Sequence, residues 1–243
     1  MSQERIYGLI GYPITHSFSP GYFASKFMQE GIKDCKYLAF PIASILGFKN
    51  LPKENLVGLN VTIPFKEVII PFLDEITGDA ESIQAVNTIV FKAGKTVGYN
   101  TDVYGFEMSL RPFLEEQSHT HALILGSGGA SKAVKYVLNR CNIDFEVVSR
   151  KGPLTYKDLT KEYIAKHTLI INTTPLGMSP KVKEKPRIPY EALGEKHLLF
   201  DCIYNPEKTL FLKTGEEQGA RIKNGLEMLQ LQAEKSWEIW ENK

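Results

Sequence analysis

The chain has 243 residues, and 29 Lys and Arg residues nearly balance 28 Asp and Glu residues to a formal net charge of +1. This length accommodates one large or two small domains, and the mixed charge gives no sign of a nucleic-acid or membrane-surface partner. Cys35, Cys141 and Cys202 are scattered and favour neither a disulfide framework nor a metal site. The charged N-terminal segment and the absence of an apolar run of about 18 residues predict a cytoplasmic protein without a transmembrane helix.

The first hundred residues predict short strands and helices separated by polar loops. Apolar and alternating runs predict strands at 6–10, 37–42, 57–63, 85–91 and 96–99, the last two forming a hairpin. Helical patterns are present at 20–30, 44–51 and 77–83. Ser19 before Pro20 predicts an N-cap, and the helix that follows is expected to bury Phe23, Phe27 and Met28. On local grounds capping explains Ser19, whereas Ser17 has no such structural role.

Polar residues interrupt the apolar runs of this region. Asn60 and Thr62 share one face of a strand that Pro64 ends, and Lys66 is predicted to open the next helix, which together indicate one wall of a polar pocket. A solvated helix lysine is the alternative for Lys66. Asn87 breaks a β-rich apolar run, and a buried amide there requires a partner or a ligand.

Strand and helix patterns alternate from residue 121 onward, which predicts a parallel sheet and a domain boundary between about 100 and 120. Strands are predicted at 122–125, 145–148, 168–171 and 198–201, and helices at 103–115, 130–140, 156–165 and 226–240. Asp102 precedes the first of these helices, and the local alternative is that it serves as the N-cap. The segment 179–189 is rich in Pro and Lys and is predicted to be a loop.

A glycine loop follows the first strand of this parallel sheet. The buried run 122–125 leads into Gly126, Gly128 and Gly129 and then into a helical pattern. Such a loop lets the backbone approach a pyrophosphate, and the free N–H groups at a helix start favour its negative charge. Ser131 stands where the dinucleotide fingerprint has Gly or Ala, so a plain glycine turn stays open as the alternative.

The second strand ends in Ser149-Arg150-Lys151. A dinucleotide fold that binds an unphosphorylated ribose has an acidic residue at this point. Two cations in its place favour a 2′-phosphate, and hence NADP over NAD. An exposed basic turn is the alternative.

Six motifs lie along the chain in one order. They are S-x-S-P at 17–20, N-V-T-x-P-x-K at 60–66, A-V-N-T at 85–88, G-x-N-T-D at 98–102, G-x-G-G-A-S at 126–131 and G-x-x-M-L-x-x-Q at 225–232. In this order they resemble the shikimate dehydrogenase family. The resemblance implies NADP-linked, reversible reduction of 3-dehydroshikimate to shikimate. It also implies a two-domain α/β fold with a substrate domain at 1–101, a Rossmann-like NADP domain at 102–224 and a C-terminal helix at 225–243 that returns to the first domain.

The resemblance also assigns roles residue by residue. The proton-transfer pair falls on Lys66 and Asp102. The implied substrate contacts are Ser17, Ser19, Thr62, Asn87, Tyr204 and Gln232. The implied cofactor contacts are Gly126, Ser127, Gly128, Gly129, Ala130, Ser131, Ser149, Arg150, Lys151, Asn172, Thr173, Cys202 and Gly225. Ser149-Arg150-Lys151 departs from the usual Asn-Arg-Thr but keeps the positive charge.

Two further functions remain open from the sequence. One is a related dehydrogenase that acts on quinate, which has an additional hydroxyl, or on an aminated analogue. The other is a sensor that binds the ligand without turnover, although the presence of both Lys66 and Asp102 disfavours it. In each case the expected partner is a small molecule, no metal site is expected, and the protein is expected to be a monomer or homodimer.

Overall fold

The computed structural model describes residues 4–115 and 117–242. The chain forms two compact units, Met1–Thr101 with Ala233–Lys243 and Asp102–Gln232. Each unit contains its own β-sheet with helices, so the predicted two-domain α/β fold is confirmed. Within the described part of the chain, every helix is too short or too polar to span a lipid bilayer.

The first unit is built on a mixed six-stranded sheet. Its strands are β1 (Arg5–Gly11), β2 (Cys35–Pro41), β3 (Leu56–Val61), β4 (Glu75–Ile76), β5 (Thr88–Lys92) and β6 (Lys95–Tyr99). They lie in the order β2-β1-β3-β5-β6-β4, with β1 parallel to β2 and β3. The predicted hairpin joins β5 and β6 through Ala93 and Gly94, whose positive φ angles match the right-handed twist of the strands.

Two helices, α1 (Phe18–Gln29) and α2 (Asp79–Ile83), accompany this sheet. Phe23 and Phe27 of α1 are buried as predicted, but the prediction for Met28 is wrong because its side chain is 77% exposed. Met28 lies about 100° around the helix from Phe27, outside the stripe that faces the sheet. The predicted helix at 44–51 is a 3₁₀ helix, Ile45–Asn50, with Ser44 accepting a hydrogen bond from the Leu46 N–H.

The last helix, α7 (Leu226–Trp240), belongs to the second unit as far as Gln232 and to the first unit from Ala233 onward. Its final turns bury two tryptophans against the first unit. The Tyr7 ring lies 5.2 Å from Trp237 and 5.0 Å from Trp240 between centroids. Trp240 Nε1 donates a hydrogen bond of 3.0 Å to the Ile89 carbonyl. Aromatic burial and one specific hydrogen bond therefore attach the chain's end to this sheet.

The second unit contains a five-stranded, fully parallel sheet, as predicted. Its strands are β7 (His121–Leu125), β8 (Asp144–Val148), β9 (Leu169–Asn172), β10 (Leu198–Asp201) and β11 (Arg221–Lys223), and its other helices are α3 (Asp102–Leu110), α4 (Gly129–Arg140), α5 (Lys161–Lys166) and α6 (Leu210–Glu217). The order is β11-β10-β9-β7-β8, so β8 is an edge strand. Leu123, Leu125, Ile170, Leu199 and Phe211 form part of the core on one face.

The prediction of a helix at 156–165 is wrong for residues 156–160, because the helix that forms, α5, begins at Lys161. Asp158 accepts hydrogen bonds from the N–H and hydroxyl of Thr155, at 2.8 and 2.7 Å. These local side-chain bonds compete with helical ones and hold 155–158 in a turn. Helix α6 was not predicted. The helix predicted at 103–115 is too long, because α3 ends at Leu110 and Pro112 lies in a 3₁₀ turn, Arg111–Phe113.

Candidate active site

Ser17 and Ser19 lie at the start of α1. Because α1 begins at Phe18, Ser17 occupies the N-cap position, yet its side chain makes no capping hydrogen bond. Ser19 is the second helical residue, so the prediction that it caps the helix is wrong. Pro20 is tolerated one residue further because the first N–H groups of a helix have no partner within it. Helix α1 therefore does not use the Ser17 hydroxyl.

Ser19 begins a buried chain of hydrogen bonds. It is 9% exposed and bonds Tyr37, whose hydroxyl donates to Asn60 Oδ1 at 2.8 Å. Burial raises the pKa of Tyr37, and the hydrogen bond with Ser19 acts in the opposite direction. Tyr37 is therefore a protonated donor that connects α1 to β3.

Asn60 continues the chain through its amide nitrogen. Asn60 Nδ2 lies 3.0 Å from Ser236 Oγ and 3.3 Å from Thr88 Oγ1. The Ser236 hydroxyl is 2.8 Å from that of Thr88 and 3.1 Å from that of Thr101. Ser236, on α7, therefore joins three segments of the first unit. We refer to Ser19, Tyr37, Asn60, Asn87, Thr88, Thr101 and Ser236 as the polar network.

Asn87 lies at the other end of the polar network and is 2% exposed. Its Oδ1 accepts a hydrogen bond of 2.7 Å from the Thr101 N–H, and its Nδ2 donates to Thr101 Oγ1 at 2.9 Å. A backbone N–H can only donate, so this contact determines which way the amide points. The amide that interrupts the apolar run thus has partners in the protein. Two predicted substrate residues, Ser19 and Asn87, belong to one network.

Thr62 and Lys66 follow the end of β3. Thr62 is half-buried, and its N–H donates to the Ile10 carbonyl at 2.9 Å. The prediction that Lys66 opens a helix is wrong, because Lys66 lies in a turn. That turn is anchored by the buried side chains of Phe65 and Ile69, and the Lys66 carbonyl accepts a bond from the Val86 N–H at 2.7 Å. The backbone that carries the half-buried Lys66 side chain is thus well defined.

Three further residues predicted for the site, Asp102, Tyr204 and Gln232, lie in the second unit. Asp102 is the first residue of α3 rather than the capping residue before it, and its charge is favourable in the first turn. Tyr204 is half-buried, and burial raises its pKa. Gln232 is 7% exposed and donates to the Leu229 carbonyl at 2.9 Å. A Cβ added at Gly105 of α3 would lie 3.0 Å from the Gln232 Cβ, so glycine allows α3 to approach α7.

The predicted cofactor residues lie at one edge of the parallel sheet. Gly126, Ser149, Thr173 and Cys202 directly follow the carboxyl ends of β7, β8, β9 and β10, which meet at the same edge. Gly126 has φ +110°, and an added Cβ would lie 2.8 Å from Thr173 Oγ1, so only glycine is accommodated there.

Glycines at two further parts of this edge have opposite surroundings. A Cβ added at Gly128 or Gly129 would meet nothing within 4 Å, so the loop at the start of α4 faces open space. Gly225 donates its N–H to the Ile203 carbonyl at 3.0 Å, and a Cβ there would lie 2.6 Å from the Cys202 carbonyl carbon. The backbone thus leaves room at one loop and packs tightly at the other.

A cavity of about 490 Å³ lies near Tyr156 and Tyr190, and a larger one of about 1120 Å³ lies at the end of β8. The larger one is lined by Ser127, Glu146, Val147, Ser149, Arg150, Lys151, Gly152, Pro153, Leu154 and Tyr163. We call it the basic cavity, because Arg150 and Lys151 are exposed and carry its positive charges. The basic cavity is the candidate cofactor site, since the predicted cofactor residues Ser127, Ser149, Arg150 and Lys151 line it.

Asp201, a fully buried carboxylate at the end of β10, is not among the residues predicted for the site. Burial raises its pKa to about 6, against hydrogen bonds from Thr209, the Ile203 N–H and Asn172 that lower it. Asn172 donates to Asp201 Oδ1 at 3.0 Å and accepts from the Thr174 N–H at 3.0 Å. Asn172 thus has a structural role besides its predicted cofactor contact. The available signal was an acidic residue that ends the apolar run Leu198-Leu199-Phe200.

Comparison with known proteins agrees with this geometry. Residues 9–89 match the family model for the shikimate dehydrogenase substrate binding domain. The NADP(+) shikimate dehydrogenase of Carboxydothermus hydrogenoformans is 35% identical over 262 residues, covering 98% of this chain and 92% of that protein. This chain belongs to the shikimate dehydrogenase family.

Solved structures of this family have the same fold. The shikimate dehydrogenase of Aquifex aeolicus is 34% identical, with a TM-score of 0.86, and the match covers 100% of this chain and 94% of that one. The shikimate 5-dehydrogenase of Thermus thermophilus, solved with NADP(H) and shikimate, is 27% identical with a TM-score of 0.86, covering 98% and 94%. The predicted family and fold class are thereby confirmed.

The residues at the sheet edge fit the dinucleotide that this family uses. Gly128 and Gly129 leave open space before the first turn of α4, where backbone N–H groups favour phosphate. Arg150 and Lys151 of the basic cavity supply charges that suit a further phosphate. Both features lie at the carboxyl edge of the sheet, as dinucleotide binding requires.

Proposed function

We propose that this protein catalyses the reversible NADP-linked reduction of 3-dehydroshikimate to shikimate. As a member of the shikimate dehydrogenase family it is an NADP-dependent oxidoreductase that acts on a CH–OH group. The observation that carries the proposal is a basic cavity at the carboxyl edge of a parallel sheet, in a chain that matches shikimate dehydrogenases over 98% of its length. A cytoplasmic location fits a reaction that uses NADP.

We assign substrate binding to six side chains of suitable chemistry. They are Ser17, Ser19, Thr62, Asn87, Tyr204 and Gln232. A polyhydroxylated carboxylate requires hydroxyl and amide partners, because an unmade hydrogen bond in a closed site is costly. The polar network supports this assignment, since it orients Ser19 and Asn87 before any ligand binds. Preorganised groups lose less entropy on binding.

Lys66 is assigned the proton transfer and Asp102 the orientation of the reacting groups. In the reductive direction the carbonyl oxygen of the substrate gains a proton as its carbon gains a hydride, and an ammonium can donate that proton. The anchored turn around Lys66 supports this role, because a proton donor must hold a defined position. The carboxylate of Asp102, at the start of α3, is suited to accept a hydrogen bond from a substrate hydroxyl.

The nicotinamide of bound NADP supplies or accepts the hydride. The Gly126–Ser131 loop is assigned to the pyrophosphate and Ser149-Arg150-Lys151 to the ribose 2′-phosphate. Thr173, Cys202 and Gly225 lie on neighbouring loops of the same edge and are assigned to the rest of the cofactor.

The test follows NADPH absorbance with shikimate and with quinate as substrates. Light scattering on the same protein measures its oligomeric state, which we expect to be a monomer or a homodimer. We expect the kcat/KM for shikimate to exceed that for quinate. Lys66→Ala should lower kcat at least about 100-fold while shikimate still binds. The exposed Lys33→Ala serves as the control. Binding of shikimate without turnover by the unmodified protein, or an increase in KM alone for Lys66→Ala, would contradict the proposal.

A further inference from the structure

The wall of the basic cavity contains one acidic side chain beside its two cations. Glu146 lies on the edge strand β8, and its side chain is 44% exposed. A free carboxylate in this cavity would repel a phosphate dianion. It would also accept hydrogen bonds from the hydroxyls of an unphosphorylated ribose. Glu146 and the Arg150–Lys151 pair therefore favour opposite cofactors.

Glu146 has a buried partner at the end of α5. His167 Nε2 lies 3.1 Å from Glu146 Oε2, and the His167 side chain is only 2% exposed. The other ring nitrogen, Nδ1, lies 2.7 Å from the Tyr163 carbonyl oxygen. Both ring nitrogens lie within hydrogen-bond distance of an oxygen atom, and the Nε2 contact holds the Glu146 carboxylate against the end of α5.

Two aromatic rings pack against His167, one from α5 and one from β7. The Tyr163 ring stacks on it at 5.5 Å with an interplanar angle of 6°, and Tyr163 also lines the basic cavity. The His121 ring of β7 meets it edge-on at 6.1 Å, and His121 Nε2 lies 3.9 Å from Asp144. Because His167 is buried between these rings, Glu146 would have to give up a charge-assisted hydrogen bond to turn into the cavity.

We propose that His167 is a specificity-determining residue for the cofactor. It holds the Glu146 carboxylate by the 3.1 Å contact, so that the basic cavity accepts a ribose 2′-phosphate in preference to a bare ribose. The proposal rests on the proposed NADP site. It adds a residue that does not line the cavity, and it assigns a purpose to the contact between buried His167 and the partly exposed Glu146.

The experiment measures binding of two cofactor fragments, adenosine 2′,5′-bisphosphate and AMP, by titration calorimetry. His167→Gln removes the imidazole that holds Glu146 and frees the carboxylate to turn into the cavity. We expect it to weaken the bisphosphate about threefold to tenfold and to change AMP less than twofold, because a partly exposed charge acts through a high effective dielectric. Glu146→Gln should bind the bisphosphate at least as tightly as the unmodified protein. The double variant should return to within twofold of the unmodified protein.

The control is His197→Gln, which alters another buried histidine of the same unit. His197 Nε2 lies 3.0 Å from the Ile164 carbonyl, and the residue does not line the basic cavity. We expect it to cost stability without changing the ratio of the two affinities. Equal weakening of both fragments by His167→Gln, or a double variant as weak as His167→Gln alone, would overturn the proposal.

The unmodified protein separates this proposal from the one on which it rests. If it binds the bisphosphate no better than AMP, the assignment of the 2′-phosphate to Arg150 and Lys151 fails. If it prefers the bisphosphate and His167→Gln keeps that preference, only the role of His167 fails.

Discussion

The polar network of the first unit and the basic cavity of the second place their site residues in opposite surroundings. Asn87 and Thr101 are 2% and 1% exposed and bond each other, whereas Arg150 and Lys151 are exposed at the cavity. In the network, the proposed substrate contacts and the stability of the fold depend on the same hydrogen bonds. At the cavity they depend on different residues, because the core under β8 is apolar and the cations lie outside it.

This difference predicts how substitutions act. A buried group that loses its partner costs about 1–3 kcal/mol, so a change in the polar network should reduce stability and substrate binding together. A change among exposed cations should affect an anionic ligand and leave stability almost unaltered. The first unit therefore offers a preorganised surface for a small polar molecule, and the second offers charge.

The largest effect is expected for Asn87→Ala. The Thr101 N–H loses its acceptor and a small cavity forms, so the free energy of unfolding should fall by about 3–4 kcal/mol. Urea unfolding measures this, with the exposed Asn50→Ala as control. A loss of less than about 1 kcal/mol would mean that the network does not support the fold.

Asp201 tests whether a buried polar group also affects the stability of the second unit. Its pKa is raised from 3.8 to about 6, so the folded protein binds a proton more readily than the unfolded chain. Stability from this group is present below about pH 4 and is lost as the pH rises through 6, about 3 kcal/mol in all. Unfolding followed between pH 4 and 7 should show this loss, and Asp201→Asn should remove it.

The exposed Asp74 provides a control of opposite sign. Hydrogen bonds from Thr96 lower the pKa of Asp74, so its contribution is present above pH 4 and is lost as the pH falls. Asp74→Asn should therefore leave the loss between pH 4 and 7 in place. An unchanged profile for Asp201→Asn would contradict the burial argument.

Ser236→Ala should have a smaller effect of about 2 kcal/mol, because the Asn60 amide and two threonine hydroxyls lose one shared partner. The KM for shikimate should rise while the KM for NADP stays constant. Ser109→Ala is the matched control, since its buried hydroxyl donates to the Phe106 carbonyl within α3. A lower melting temperature without a change in either KM would restrict Ser236 to a structural role.

The smallest effect on stability is expected for Arg150→Ala, below about 0.5 kcal/mol. Its KM for NADP should nevertheless rise about tenfold, equivalent to about 1.4 kcal/mol, with the KM for NAD unchanged. Steady-state kinetics with both cofactors measures this. Equal losses with both would show that Arg150 does not recognise the 2′-phosphate.

Much of the fold could be predicted because local patterns dominate it. The apolar runs of β7 and β10, the glycine loop before α4 and the hairpin at Ala93 and Gly94 each depend on residues adjacent in the chain. Predictions failed where a side chain formed a local bond that no periodicity reveals, as Asp158 does with Thr155. The prediction that Lys66 opens a helix failed for another reason, because buried Phe65 and Ile69 anchor the chain there in a turn.

The sequence by itself determined most of the strands and helices, the family and the residues proposed for the site, because apolar periodicity and the motifs are properties of short segments. Tertiary structure alone decided which polar groups share partners. Asn60 bonds Ser236, 176 positions along the chain, and His167 bonds Glu146 across an edge strand. Such contacts form only when the chain closes long loops, and their energy comes from burial, which no single segment carries.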